Sequence, residues 1–190
     1  MKVVVLPHNP IWIVEFSNAK AELETILKDV KPLSIEHVGS TSIPGLPAKP
    51  ILDIDIIVTR EAFDATRQAM VQAGYFDCGE MNIPGRFAFR EPGFGQSDAA
   101  SGVSLGAMRR NTYVVIEGCV ALKNHLDIKR MLLSDEGLRD EYGRVKLALA
   151  QKEWANIGEY VTGKNEILWK ILQRAGWKGE DLDEVKNANS

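Results

Sequence analysis

The sequence has few cysteines and no long hydrophobic run, and both absences narrow what the protein can be. Its two cysteines, Cys78 and Cys119, lie far apart and form no CxxC pair. We therefore expect two reduced thiols, as is usual in a cytoplasmic protein. The opening stretch MKVVVLPHNP contains five consecutive apolar residues, too few for a secretory signal peptide or a membrane-spanning helix. Together these features favour a cytoplasmic protein that does not insert into membranes.

The sequence also has no large excess of acidic or basic residues. The 23 basic residues are nearly balanced by 26 acidic ones, which gives a net charge of −3. This balance carries no signature of general nucleic-acid binding, although it leaves room for a local basic pocket. The 190 residues, 45% of them hydrophobic, suit one globular domain with a sizeable core. Since no Pro-, Gly- or Ser-rich linker divides the chain, we expect a single domain over residues 1–178 and a polar, frayed tail over 179–190.

Apolar residues recur at helical spacing near the start of the chain and again in its last third. The first predicted helix follows Pro10 and ends near Lys28. Its apolar face consists of Trp12, Phe16, Ala19, Leu23 and Ile26. Three further helices are predicted over 121–133, from the possible caps Ser134 or Asp135 onward, and from Tyr160 to Ala175.

Strand-forming residues dominate the part of the chain between these helices. Short apolar runs predict strands at 33–38, at 50–58, within YFDCGE, within RFAFRE and at 111–118, with one helix at 60–74. Residues 91–111 are rich in glycine and small polar residues, and a loop of that length in a compact domain favours a lid or a disordered segment. The order predicts an α/β (α+β) fold, with a sheet core over about 30–118 and a helical part over about 120–177.

The strand PILDIDIIV carries two aspartates inside an apolar run. Because side chains alternate along a strand, Asp53 and Asp55 share one face, with their Cα atoms roughly 7 Å apart. The residues that face the other side predict a core: Leu52, Ile54, Ile56 and Val58. Two neighbouring carboxylates repel each other unless a cation lies between them, and Mg²⁺ takes one or two carboxylates together with phosphate oxygens. A purely structural pair on an exposed edge strand is the alternative.

A turn that contains glycine and serine precedes this strand. Gly39 permits a close backbone approach, and Ser40, Thr41 and Ser42 offer hydroxyl and N–H groups of the kind that bind phosphate. Lys49 stands just before the carboxylate strand, where its ammonium group can meet the same phosphate. Such a turn alone is common, but the turn, the lysine and the D-x-D pair in this order predict a metal and phosphate site.

This combination resembles the nucleotidyltransferase superfamily, in which a Gly-Ser turn precedes an Asp-x-Asp strand and a third carboxylate comes from a later strand. More narrowly, IEHVGSTSIPGLPAKPILDIDIIV is similar to the signature of the GrpB-like family of uncharacterised proteins. The resemblance extends from Asn9 to about Trp177 and includes NTYVVIEGCVALKNHLDIKRMLL, EYGRVKLALA and YVTGKNEILWKILQRAGW. It implies a nucleotidyltransferase-like mixed β-sheet with flanking helices, a metal–nucleotide site and an untested activity. Some relatives are fused to dephospho-CoA kinase, which points to nucleotide metabolism.

The strand after the glycine-rich loop departs from the family. Relatives often carry a histidine there, whereas this chain has RRNTYVVIEG, so a histidine role at that strand is lost.

Glu117, at the end of the strand, is our candidate for the third carboxylate, with a solvated strand-end acid as the alternative. Glu36 is a further candidate metal ligand, or it pairs with a lysine at a strand edge. His37 is a candidate acid, base or phosphate ligand, or a hydrogen-bonded core residue, and we expect His125 to be structural.

Basic residues later in the chain are candidates for binding the phosphates. Arg86 flanks a short predicted strand and either holds a triphosphate or lies in solvent. Lys129, Lys146 and Lys164 occur in the helical part at positions that match basic residues of the family. There they would neutralise phosphate charge from the far side of a cleft. Lysines on helices are usually solvated, which is the alternative for each of them.

The leading hypothesis is a protein that acts on or binds a nucleoside triphosphate with Mg²⁺ or Mn²⁺, as a nucleotidyltransferase with an unknown small-molecule acceptor. In it Asp53, Asp55 and Glu36 hold the metal, and Asp53, Asp55 and Glu117 carry the catalysis. The turn and the basic residues bind the phosphates. The alternatives are a nucleotide-binding or regulatory module without turnover, and an interaction domain in which the aspartates are structural.

Overall fold

The structure is a computed structural model that describes residues 1–92 and 108–188. The helices are α1 (Ile11–Ile26), α2 (Phe63–Gln72), α3 (Val120–Ser134), α4 (Glu136–Ala150), α5 (Ile157–Thr162), α6 (Asn165–Arg174) and α7 (Glu180–Ala188). The strands are β1 (Ser34–Val38), β2 (Ile51–Val58), β3 (Phe76–Asp77), β4 (Arg86–Arg90) and β5 (Arg109–Ile116). None of these helices is long and apolar enough to cross a membrane. The lid or disordered loop expected within 91–111 lies for its greater part outside the described residues.

The strands form one mixed sheet in the order β1-β2-β5-β4-β3. β2 lies in the interior of this sheet, antiparallel to β1 and parallel to β5, and β4 pairs antiparallel with β5. In register, Val38 of β1 and Asn111 of β5 flank Asp53 of β2. Because directly opposed residues of neighbouring strands point to the same face, this register decides which side chains surround the aspartates.

One face of the sheet packs on α1 in a continuous apolar cluster. The strand residues buried in it include Ile35, Leu52, Ile54, Ile56, Val58 and Val114. From α1 it takes Trp12, Ala19 and Leu23, which lie on the helix face that the sequence predicts. The apolar side of β2 is therefore confirmed as core, and both aspartates are left on the opposite face.

That opposite face is turned toward the helical C-terminal third. Leu122 of α3 packs there against Ile57 and Val115, and α3, α4 and α6 share a second apolar cluster. Asp135 begins α4 by accepting a hydrogen bond from the Leu138 backbone N–H at 2.9 Å, so one of the two predicted caps is confirmed. The predicted fold, a mixed sheet with flanking helices and a helical last third, is the fold observed.

Two features at the C-terminal end differ from the predictions. The last predicted helix is divided into α5, which ends at Thr162, and α6, which begins at Asn165, so Gly163 and Lys164 belong to neither helix. The predicted frayed tail over 179–190 instead contains α7, whose Leu182 and Val185 are buried against Trp177. A short acidic segment becomes a docked helix because two apolar residues three positions apart meet an existing apolar surface.

The first six residues connect the sheet to the helical part. Lys2 forms an isolated β-bridge with Glu153, just after α4, and Leu6 forms another with Ala48, just before β2. Val3, between the two bridges, is buried in an apolar cluster with residues of α4 and α5. This segment therefore holds the loop before β2 beside the end of α4.

Candidate functional site

Asp53 lies on the polar face of the sheet, where β1, β2 and β5 run side by side. Asn111 stands opposite it on β5 and donates a hydrogen bond from Nδ2 to Asp53 Oδ1 at 2.8 Å. Gly39, directly after β1, has a positive φ of 68°, and a Cβ atom there would overlap Asp53 Oδ2 and lie 2.8 Å from Asp53 Cγ. Glycine alone tolerates both the backbone conformation and the contact. The close backbone approach predicted at Gly39 is therefore made to the Asp53 carboxylate.

A cavity of about 200 Å³ opens beside Asp53, between the sheet and the helical part. It is lined by Ser40, Lys49, Ile51, Asp53, Asn111, Lys146, Tyr160, Val161 and Lys164. The Nζ atoms of Lys49 and Lys164 lie 5.6 and 5.2 Å from the centroid of the Tyr160 ring. Lys146 Nζ lies 4.5 Å from the centroid of the Tyr142 ring. The structure therefore gathers three of the predicted phosphate-binding lysines. Their ring contacts do not neutralise their charges, because an aromatic ring attracts an ammonium group without carrying a net charge.

The lysines of this cavity are desolvated and repel one another. Lys146 is only 2% exposed, and its Nζ has no hydrogen-bond partner among the described residues. Burial, and then repulsion from Lys164, lowers the pKa of Lys146 to about 7. Burial also lowers the pKa of Lys49 and of Lys164. Burial raises the pKa of Asp53, against the opposing effects of the Asn111 hydrogen bond and neighbouring positive charge. Three crowded lysines facing one desolvated carboxylate favour the binding of a polyanion.

The turn over Ser40–Ser42 contributes one side chain to this cavity rather than three. Ser40 lines the cavity and hydrogen-bonds with Tyr142, whose pKa is raised to about 12 by burial. Thr41 is buried, donates to a backbone carbonyl of β2 at 3.2 Å and accepts from His37 Nε2 at 2.9 Å. Ser42 Oγ donates to a carbonyl of its own turn at 2.7 Å. The hydroxyls of Thr41 and Ser42 therefore stabilise the turn, which corrects the prediction that they bind phosphate.

His37 and Lys129 belong to the support of β1 and do not line the cavity. His37 is 6% exposed and stacks on Phe16, with ring centroids 4.7 Å apart. Burial, and then the charge of Lys129, lowers the pKa of His37 to about 4. Lys129 Nζ donates to the backbone carbonyl of His37 at 2.8 Å. The core alternative therefore holds for His37, and the phosphate role predicted for Lys129 does not fit its position.

Asp55 is fully buried and paired with a histidine of α3. His125 Nδ1 donates to Asp55 Oδ2 at 2.7 Å. Asp55 Oδ1, in contrast, has no hydrogen-bond partner in the described part of the chain. A buried carboxylate oxygen without a partner is costly, so this is a position where a cation would be favourable. Asp53 and Asp55 do share one face of β2, as the alternation of the strand predicts, but they have different surroundings.

The predicted clusters of three acidic residues do not form around these aspartates. Within residues 1–92 and 108–188, no group of three or more His, Cys, Asp or Glu side chains is placed to hold a metal ion. Glu36 stands opposite Asp55 in the register of the sheet without completing such a group. Glu117 is exposed and follows the far end of β5, about 20 Å along the strand from Asn111. The parallel pairing of β2 with β5 places Asn111, not Glu117, opposite Asp53, which corrects the assignment of Glu117 as the third carboxylate.

Arg86 lies apart from the lysines. It is on β4, opposite Val115 of β5, and its guanidinium lies 4.5 Å from the centroid of the Tyr113 ring. Tyr113 in turn stands opposite Asp55 in the register. The structure therefore places Arg86 toward the Asp55 end of the polar face, and its predicted contact with the same phosphates as Lys49 does not fit this position.

Four residues of the site were missed by the sequence reasoning: Asn111, Tyr142, His125 and Arg109. Asn111 could have been recognised from the sequence. It lies in a predicted strand and shares a face with Tyr113, two positions later, just as Asp53 shares a face with Asp55. Arg109, at the start of the same strand, adds to the repulsion that lowers the pKa of Lys49. Tyr142 and His125 have no local signal, since their polar contacts are made with strands and turns far away in sequence.

Comparisons with known proteins agree with this architecture. Residues 2–174 match the GrpB protein family. A UPF0157 protein of Halalkalibacterium halodurans is 32% identical over 174 residues, which cover 91% of this chain and 82% of that protein. The crystal structure of the conserved protein GrpB from Enterococcus faecalis aligns with a TM-score of 0.73 and 26% identity, over 96% of this chain and 99% of that one.

A weaker likeness is to a polymerase. The Cid1 poly(U) polymerase aligns with a TM-score of 0.42 and 16% identity, over 83% of this chain and 50% of that one. A likeness of that degree says nothing about what this chain binds. The family match and the relative from Halalkalibacterium halodurans, in contrast, each extend over most of the sequence. The chain therefore belongs to the GrpB family.

Proposed function

We propose that this protein binds a nucleoside triphosphate by its phosphate chain in the lysine-lined cavity and transfers the nucleotide to a small-molecule acceptor. The observation that carries the proposal is the charge of the cavity, where Lys49, Lys146 and Lys164 face the single carboxylate of Asp53. A triphosphate has several negative charges, and its binding would relieve the repulsion and desolvation that lower the pKa of Lys146.

A divalent cation, Mg²⁺ or Mn²⁺, would accompany the phosphate chain and be held by the two aspartates. The Asp53 carboxylate is desolvated, and Asp55 Oδ1 is buried without a hydrogen-bond partner among the described residues. Asp53 and Asp55 would hold the cation, with phosphate oxygens and water as the other ligands. When bound, the cation would neutralise charge on the reacting phosphate.

The residues of the chain would contribute mainly positioning and charge. In the transfer, the oxygen of an acceptor hydroxyl forms a bond to the α-phosphorus and its proton passes to solvent, while the bond from that phosphorus to the oxygen that bridges to the β-phosphate breaks and pyrophosphate leaves. The three lysines would stabilise the negative charge that develops on the pyrophosphate. Ser40, with backbone N–H groups of its turn, would hold phosphate oxygens beside Asp53.

A nucleotide-binding module without turnover is the second candidate, and one observation favours it. Asn111 occupies the β5 position opposite Asp53, where a carboxylate could accept the proton of the acceptor. The amide of asparagine cannot act as such a base. Under this alternative the triphosphate still binds in the lysine-lined cavity, but no pyrophosphate is released.

Titration calorimetry with the common ribonucleoside triphosphates, and with inorganic tripolyphosphate, tests the binding. We expect both kinds of ligand to bind, and Lys146→Met to weaken them at least about tenfold, because a charge-assisted contact is lost. Lys178→Met, at an exposed lysine outside the cavity, is the matched control and leaves the affinity unchanged. The proposal fails if no polyphosphate binds, or if Lys146→Met binds as tightly as the wild type.

Pyrophosphate release, measured with bound nucleotide across a panel of hydroxyl-bearing acceptors, separates the two candidates. Release that is abolished by Asp53→Asn supports transfer, because that substitution keeps the shape of the side chain and removes its charge. Binding without release from any acceptor favours the module without turnover.

A further inference from the structure

The helix α7 forms one wall of a second cavity, of about 110 Å³, at the Asp55 end of the polar face. The other walls are β4 with the loop before it, and the first turns of α3. His125 lies on the α3 wall and also donates to Asp55, while α7 contributes Glu184 and Val185. The cavity that borders the Asp55–His125 pair is therefore closed on one side by α7. Neither member of that pair lines the lysine-lined cavity.

Two buried apolar side chains hold α7 in this place. Leu182 and Val185 are 5% and 8% exposed and pack against Trp177. Asp181 also forms an ion pair with Lys123 of α3 at 2.5 Å, but the two side chains are 46% and 50% exposed. An ion pair so open to water contributes little to stability. The docking of α7 therefore depends mainly on the two apolar side chains.

The helix adds little to its own stability. It has nine residues, and isolated helices shorter than about 12–15 residues are marginal in water. Gly179, the residue before it, has a positive φ of 60°, and a Cβ atom there would meet nothing within 4 Å. Glycine can leave this conformation for others at little steric cost. The helix can therefore detach and unfold while the rest of the chain stays folded, as weakly buried segments do.

We propose that α7 is a displaceable cover over the Asp55 side of the polar face, hinged at Gly179. In the closed state Glu184 and Val185 complete the cavity wall. When α7 detaches, this wall is lost and His125 becomes accessible to solutes. The opening would give an acceptor its own way to Asp55 while a nucleotide occupies the lysine-lined cavity. This use of the opening, unlike the opening itself, rests on the proposed function.

Hydrogen exchange of the wild-type chain tests whether α7 detaches by itself. Amide protons of α7 should exchange at least about 100-fold faster than those of β2, because detachment exposes them without global unfolding. Amide protons in the central turns of α3 should follow those of β2. The inference is overturned if α7 and β2 exchange at the same rate, since α7 would then open only when the whole domain unfolds.

The accessibility of His125 tests what the opening exposes. The chain contains three histidines, so the line broadening caused by a dissolved neutral nitroxide can be followed on three sets of ring signals. Leu182→Asp places a charge in the buried contact of α7 and should hold the helix open. The broadening of His125 should then increase at least about twofold, with a smaller increase in Leu182→Ala. The buried ring of His37 should not respond.

Leu133→Asp is the matched control, because it makes the same change at an exposed leucine outside both the cavity and the contact of α7. It should leave the exchange of α7 and the broadening of His125 as they are in the wild type. Melting temperatures show which variants remain folded, and the milder Leu182→Ala serves if Leu182→Asp does not fold. Folded Leu182 variants that broaden His125 no more than the wild type does would overturn the inference.

Tripolyphosphate added to the same samples reports separately on the lysine-lined cavity. Shifts around Lys146, with His125 no more accessible in the Leu182 variants, would leave the proposed function standing and remove the cover. Greater access to His125 without any response to tripolyphosphate would support the cover and remove the proposed function.

Discussion

Replacement of Lys146 by methionine should make the ligand-free protein more stable at neutral pH. Burial lowers the pKa of this lysine from its usual 10.5 to about 7. The folded state therefore binds fewer protons than the unfolded chain between those two values. Each unit of pKa difference corresponds to about 1.4 kcal/mol, so burial of Lys146 costs about 4 kcal/mol of folding stability at pH 7 and up to about 5 kcal/mol at lower pH. Methionine has a similar length and no charge to desolvate, so it removes this cost.

The sign of the pH dependence follows from the same two values. Because the pKa of Lys146 is lower in the folded state, the cost is complete below about pH 7 and declines as the pH rises toward 10.5. Urea unfolding of wild type and Lys146→Met, followed from neutral to alkaline pH, measures the difference. The advantage of the variant should shrink by about 1.4 kcal/mol per pH unit above neutrality.

The exposed Lys178, replaced in the same way, is the control and should change stability by no more than about 0.5 kcal/mol at any pH. A stability difference that stays constant with pH, or a Lys146→Met variant less stable than the wild type at pH 7, would refute the reasoning. With saturating tripolyphosphate the order should reverse, because the anion stabilises only the folded protein that retains the ammonium group.

Three further outcomes are expected. Gly39→Ala places a Cβ atom against Asp53 at a positive φ, so it should lower stability by at least about 2 kcal/mol in thermal denaturation and weaken tripolyphosphate binding. His37, with a pKa of about 4 in place of its usual 6.5, should remain neutral by NMR until about that pH, and stability should fall by up to about 3 kcal/mol as the pH drops from 6.5 to 4. Leu182→Ala removes a buried contact of α7 and should cost about 2–4 kcal/mol, with faster hydrogen exchange in α7 than in β2.

The sheet and its polar face were predictable because they depend on local alternation. In β2 the period of two residues separates Leu52, Ile54 and Ile56 from Asp53 and Asp55, and each set occurs on the expected face. The first helix was predictable for a similar reason, since its apolar residues repeat at helical spacing. Both patterns follow from local backbone geometry, so they can be recognised without knowing which element packs on each face.

The composition of the site was less predictable, because it depends on register and on distant contacts. Nothing in the residues near Glu117 says which position of β5 pairs with Asp53, and the parallel register selects Asn111 instead. The partner of Asp55 is His125, a residue of α3 that looks structural in isolation. The helix α7 was missed because its formation depends on burial against Trp177 rather than on its own acidic sequence.

The bridges made by the first residues of the chain connect the amino terminus to both sides of the lysine-lined cavity. Leu6 is tied to Ala48, the neighbour of Lys49, and Lys2 is tied to Glu153 beyond the end of α4, the helix that carries Lys146. The Trp154 backbone N–H also donates to the Met1 carbonyl at 3.0 Å. A segment that does not line the cavity therefore contacts the elements that carry Lys49 and Lys146. An affinity tag fused before Met1 would disturb these contacts, so under the proposed function the phosphate affinities of tagged and untagged protein should differ.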